Sequence, residues 1–188
     1  MIYTTYYNSP VGRILLAAKD TALVGLWIEN QKYFLGSLKE ALAERNDYPV
    51  LVQTKSWLDR YFNGGSPAIS ELNLAPMGSD FRKAVWDVLC EIPYGVLTTY
   101  GEISKKVAKK FGKTQMSAQA VGGAVGHNAI SIIIPCHRVV NSKGELAGEF
   151  VFGGPGVQAS RLAAEGVMSE DGKIDLKKYG MTLMKGRQ

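Results

Sequence analysis

Pro67 and Pro76 punctuate the stretch Ser66 to Gly78 and divide the chain into two parts with different hydrophobic periods. Each proline ring removes a backbone donor and locks φ, so no helix or central strand is expected to run through this segment, which reads as a linker. Before it, the extended runs Ile2 to Tyr7 and Arg13 to Ala18 flank Asn8-Ser9-Pro10-Val11-Gly12, a set of turn-forming residues, and predict a β-hairpin. Leu23 to Ile28 is expected to add a third strand. A helical stretch should follow, with Leu35, Leu38 and Leu42 on one face and Glu40 and Glu44 outward. A second helix, Ser56 to Phe62, should close at Asn63-Gly64-Gly65.

Beyond the linker the period is helical. Phe81, Val85, Val88, Leu89 and Ile92 make an apolar stripe that Pro93-Tyr94-Gly95 stops. Thr99 and Glu102 have capping-box spacing, which starts a helix near Tyr100 that runs past Val107. Ser117 to Gly126 predicts a small-sided helix, so the pair reads as a helix-turn-helix. The fold class expected is α/β: a support domain of antiparallel strands plus helices over residues 1–76, then a mainly helical domain over 77–188.

With 188 residues, 46% of them hydrophobic, the chain can bury a core. Two cysteines make no disulfide framework and no secretory leader is read at the start, which together predict a reducing cytoplasm. The longest apolar stretch, Ile130 to Pro135, is too short to span a bilayer, so no membrane association is expected. A net charge of +5 is a weak pointer to an acidic partner such as nucleic acid.

Chemistry concentrates at Cys136. Ile132-Ile133-Ile134 reads as a buried strand that delivers the thiol, past Pro135, to His137 and Arg138, and cationic surroundings of that kind are expected to depress a thiol pKa. Cys90 lies beside an apolar helix face and reads as packing. No Cys-x-x-Cys is present for disulfide exchange, and Cys90, Cys136, His127 and His137 lack the spacing of a zinc site, so no metal is expected. A thiol hydrolase using His127 is a weak alternative.

The segment Phe81 to Gly166 resembles the C-terminal domain of the O6-alkylguanine-DNA alkyltransferases, the methylated-DNA-protein-cysteine methyltransferase family. The likeness rests on Ala120-Val121-Gly122-Gly123-Ala124, Asn128, Ile134-Pro135-Cys136-His137-Arg138-Val139-Val140, Gly153-Gly154 and Leu162-Ala163-Ala164-Glu165-Gly166. Ser9-Pro10-Val11-Gly12 with Leu15 and Leu16 resembles the family's first domain more weakly. The resemblance implies a single-turnover repair protein that flips O6-alkylguanine out of duplex DNA and moves the alkyl group irreversibly to Cys136, as a monomer and without a cofactor. The alternative is an alkyltransferase-like module that binds lesions without transfer.

The resemblance also implies roles. His137 would take the thiol proton through a water, Glu165 would orient the imidazole, Tyr100 would protonate the departing guanine, and Asn128 would brace the turn. Without the resemblance, Glu165 reads as a solvated residue at a helix end. The carbonyls of Cys136 and Val139 would accept from the base's exocyclic amine. Ser117, Ala118, Gln119, Ala120 and Gly122 would face the minor groove, with Arg82 and Phe152 as further DNA or substrate contacts. For the small residues, close packing inside the protein is the alternative. Four departures stand out: Gln119 replaces the intercalating arginine, Ala129 a proline, and Gln158 a lysine, and the loop Gly148 to Gly154 is longer than usual and has no tyrosine.

Overall fold

The computed structural model describes residues 1–36, 38–147 and 155–183, which form two compact units. The first comprises Met1–Gly78 with Ala129–Ile133; the second comprises Ser79–Asn128 with Ile134–Gln188.

In the first unit β1 (Ile2–Ser9) and β2 (Gly12–Lys19) pair antiparallel, with Tyr3 opposite Ala18 and Ser9 opposite Gly12. The connecting turn is tied by Ser9 Oγ, which accepts from Val11 N and donates to Gly12 O, while Gly12 takes a φ of +118° that L side chains rarely adopt. β3 (Ala22–Ile28) pairs antiparallel with β2, and β4 (Leu42–Glu44) pairs parallel with β1, for the order β3-β2-β1-β4. α1 (Pro49–Phe62) packs on β1, β2 and β3 through Leu51, Thr54, Trp57, Leu58 and Tyr61.

Every residue of β3 is buried although it ends the sheet order. Leu74 and Ile130 cover its open edge as parallel bridges to Leu23 and Leu26. The bonds Leu26 N to Ala129 O and Ser131 N to Leu26 O satisfy groups that an edge strand would otherwise expose.

The helix expected around Leu35 to Glu44 does not form. Tyr33, Leu35 and Gly36 have positive φ, which no right-handed helix accommodates, and the chain re-enters the sheet at β4. Of the expected leucine face, Leu35 and Leu38 pack with Phe34 on a cluster of Ile2, Ala17, Val24 and Trp27, whereas Leu42 is exposed on β4.

The second unit is led by α2 (Asp80–Leu89), α3 (Tyr100–Lys110) and α4 (Ala118–Gly126), which pack on one another. Ser79, Thr99 and Ser117 cap them, each side chain accepting from the backbone N–H three residues on. The capping box expected at α3 is half made: Thr99 Oγ1 accepts from Glu102 N, but Glu102 Oε1 is paired with Lys105. Trp86 Nε1 donates to Ala124 O at 2.9 Å, fastening α2 to α4. Two two-residue strands, β5 (Thr98–Thr99) and β6 (Val139–Val140), run parallel, and α5 (Pro155–Ala164) packs behind them. A hairpin, β7 (Ser169–Glu170) and β8 (Lys173–Ile174), and the short α6 (Leu176–Tyr179) complete the unit. Its inner cluster is Leu97, Val140, Leu162, Val167 and Ile174.

Candidate active site

Cys136 begins a single 3-10 turn, Cys136–Arg138, that leads directly into β6. The strand expected at Ile132 to Ile134 is instead a pair of tight turns, Ile133 N to Ser131 O and Cys136 N to Ile134 O, with Ile132 at φ +70°. Asn128, buried after the end of α4, donates Nδ2 to Ile134 O at 2.8 Å and so closes the base of this excursion. β5 immediately precedes Tyr100 and β6 immediately follows Arg138, so the pairs Thr98–Val139 and Thr99–Val140 draw the start of α3 alongside the cysteine turn. Tyr100 thereby lies within electrostatic range of Cys136.

Glu165 is buried and saturated with donors. His137 Nε2 meets its Oε1 at 2.7 Å, Arg138 Nε and Nη2 approach its two oxygens at 2.8 and 2.9 Å, and Gly95 N donates to Oε2 at 3.3 Å. Arg138 also donates Nη1 to Ile92 O at 2.7 Å. Residue 166 is a glycine at φ +84°, which ends α5 and turns the chain. The solvated placement of Glu165 is therefore wrong: tertiary contacts with residues far away in sequence bury it.

Burial pushes the Glu165 carboxyl up, but the bonds from His137 and Arg138, with the arginine charge, outweigh it and hold the group well below the usual carboxylate range. Because the carboxylate only accepts, His137 Nε2 must carry a hydrogen. Burial, with the Arg138 and Arg161 charges, pushes the imidazole below its ordinary value against the pull of Glu165. A neutral imidazole protonated on Nε2 keeps its lone pair on Nδ1, an atom with no hydrogen-bond partner among the described residues.

The expected cationic depression of Cys136 is not found. Complete burial pushes the thiol up to about 11, against the smaller opposing effects of Asn128 and of the backbone N–H groups of Cys136 and His137. Arg138 does not activate the sulfur, because its charge is committed to Glu165. Tyr100 is also raised, by burial and then by Cys136. Cys90, at the end of α2, is raised to about 11 by burial and the nearby Asp87 and Glu91.

Ala118, Gln119, Ala120 and Gly123 are exposed on α4 and Gly122 is half-buried, while Ser117 is used as the cap. A Cβ added at Gly122 or Gly123 would meet no atom within 4 Å, so internal packing does not require these glycines. Arg82 sits half-buried in the first turn of α2. Val139 is buried in β6. Phe152 and the rest of the loop 148–154 lie outside the described residues.

Two residues were missed as partners. Arg138 was read only as a local cation, and Gln158, noted as a departure, is fully buried and bonded to the carbonyls of His137 and Val139. Only the adjacency of Arg138 to the cysteine motif hinted at the first; no spacing rule links residue 158 to 139. Among the described residues no three His, Cys, Asp or Glu side chains converge as a metal site, and no helix is long and apolar enough to cross a membrane.

Comparison with known proteins gives the family. Residues 2–76 match the family described as 6-O-methylguanine DNA methyltransferase, ribonuclease-like domain, and residues 80–167 match its DNA binding domain. The chain belongs to the 6-O-methylguanine DNA methyltransferase family. A methylated-DNA--protein-cysteine methyltransferase of Haemophilus influenzae is 38% identical over 161 residues, covering 86% of this chain and 83% of the relative. The namesake from Methanosarcina barkeri is also 38% identical, over 78% of this chain and 87% of its own. Among solved structures, Mycobacterium tuberculosis OGT in complex with DNA matches at TM-score 0.72 and 31% identity, covering 87% of this chain and 93% of that one. In this methyltransferase chain the short segment Ala129–Ile133, from within the region matched as DNA-binding, belongs to the first unit.

Proposed function

We propose that this methyltransferase removes the alkyl group from O6-alkylguanine in double-stranded DNA and keeps it on Sγ of Cys136, once per molecule, acting as a cytoplasmic monomer. The observation that carries the reading is the buried relay beside Cys136, in which Glu165 holds His137 on Nε2 and leaves Nδ1 as the base. In the resting protein the thiol keeps its proton. With the lesion in place, His137 accepts that proton through a water, and the Sγ–carbon bond forms as the carbon–O6 bond breaks, returning the electron pair to guanine. Tyr100 protonates the base, and the proton held on the imidazole restores the phenol, so the thiol hydrogen ends on guanine. The thioether has no leaving group that water could readily displace, which makes the reaction single-turnover.

The lesion must leave the stack to reach a buried sulfur, at a cost of a few kcal/mol. The bare face of α4, with Ala118, Ala120, Gly122 and Gly123, supports close approach of this helix to the minor groove, with Gln119 as the residue that enters the vacated stack. Incubation with an O6-benzylguanine oligonucleotide followed by peptide mass mapping tests the reading. One benzyl group per molecule on Cys136 is expected; repeated turnover, or label on Cys90, would overturn it.

A further inference from the structure

Gln158, the fourth position of α5, is fully buried yet forms three hydrogen bonds through one amide. Nε2 donates to His137 O at 3.1 Å and to Val139 O at 3.0 Å, and Oε1 accepts from Ala147 N at 3.0 Å. The two acceptor carbonyls belong to residues on either side of Arg138, so one side chain holds the 137–138 and 139–140 peptide planes just after Cys136.

We propose that Gln158 is a positioning residue that aims the Val139 carbonyl at the exocyclic amine of the flipped base and thereby sets the preference for guanine. The proposal rests on the alkyl-transfer reading above. A carbonyl oxygen can accept twice, so a bond from Gln158 orients it without closing it to a donor on the substrate. Hydrogen bonds are directional, and a peptide plane released from this bond would present its oxygen over a wider range of angles. The loss would then fall on a substrate that carries the amine.

The choice of an amide also has a physical reason. Its head donates to the carbonyls and accepts from Ala147, whereas a lysine in its place could only donate and would leave the Ala147 N–H without this acceptor. Charge weighs in the same direction. Arg138 and Arg161 are already buried beside the site, so a lysine at 158 would bring a third cation out of water next to two like charges.

The test compares second-order rates of Cys136 alkylation by free O6-benzylguanine and by O6-benzylhypoxanthine, which lacks the exocyclic amine. The ratio of the two rates cancels the folded fraction of each preparation. In Gln158→Leu the guanine-to-hypoxanthine ratio is expected to fall by about fivefold to tenfold, the loss of one directed hydrogen bond. Gln158→Lys retains the donor and is expected to keep the ratio close to wild type while lowering the melting temperature. Equal slowing of both substrates in Gln158→Leu, or a collapsed ratio in Gln158→Lys, would overturn the proposal. Should Gln158→Leu fail to fold, Gln158→Lys still decides by its ratio. Failure of the wild-type protein to alkylate Cys136 with either compound would instead overturn the transfer reading itself.

Discussion

Replacing Glu165 with glutamine keeps the shape of the side chain and removes its charge. In the native arrangement the two carboxylate oxygens receive Arg138 twice, His137 once and Gly95 once, all on a group that is 5% exposed. The amide of Glu165→Gln offers one oxygen in place of two, and its NH2 must face either a guanidinium N–H or the imidazole N–H, donor against donor. Removing one partner of a buried ion pair leaves the other charge uncompensated and costs about 3–5 kcal/mol. For a chain of this size that corresponds to a fall in melting temperature on the order of 10 °C. His137 also loses its anionic anchor, so single-turnover benzyl transfer should slow by about 100-fold. Thermal unfolding followed by circular dichroism reads the first effect and rapid-quench labelling the second. The double variant Arg138→Met with Glu165→Leu removes both charges and should melt above Glu165→Gln while remaining slow. A Glu165→Gln protein that melts within about 2 °C of wild type, where each kcal/mol moves the midpoint by a few degrees, would refute the claim that this pair is buried and coupled.

Stability should fall on acidification in two stages. His137 and Glu165 both have folded values below their ordinary 6.5 and 4.5, so between the folded and unfolded values the unfolded chain binds more protons. The His137 contribution is complete above 6.5 and is lost as pH falls below it, and the Glu165 contribution is complete above 4.5 and is lost further down. Urea midpoints from pH 8 to pH 4 check this, and a midpoint that rises toward acid would contradict it. Cys136→Ser should abolish transfer yet bind a lesion duplex in a gel-shift assay with affinity close to wild type; lost binding would mean that the sulfur is part of the grip. Gln119→Arg should tighten duplex binding and steepen its salt dependence by about one unit of log–log slope. The same variant should quicken transfer from DNA and leave free benzylguanine unaffected; equal change in both substrates would place Gln119 away from the flipped base.

What could be read from the sequence is what neighbouring residues decide among themselves. The turn Asn8 to Gly12 has local chemistry that makes a hairpin whatever surrounds it, and Thr99 and Ser117 cap helices because a hydroxyl three residues from an orphan N–H can reach it. The Pro-Cys-His-Arg run singles out Cys136 as a candidate for the same kind of local reason, the adjacency of a thiol to His137 and Arg138. Helical periodicity alone failed around Leu35 to Glu44, since positive φ interrupts the backbone there and Leu35 and Leu38 reach the core without a helix while Leu42 stays exposed. Tertiary structure decided the rest. A parallel pairing of two residues per strand is too short to leave a pattern, yet it brings Tyr100 to Cys136. The bonds from Glu165 to Arg138 and Gly95, and from Gln158 to Val139, cross separations of 27, 70 and 19 residues, beyond any local spacing rule. The proton affinity of Cys136 followed from its enclosure and from the prior commitment of Arg138 to Glu165, because an adjacent cation depresses a thiol only when its charge is not already neutralised and the sulfur is not removed from water.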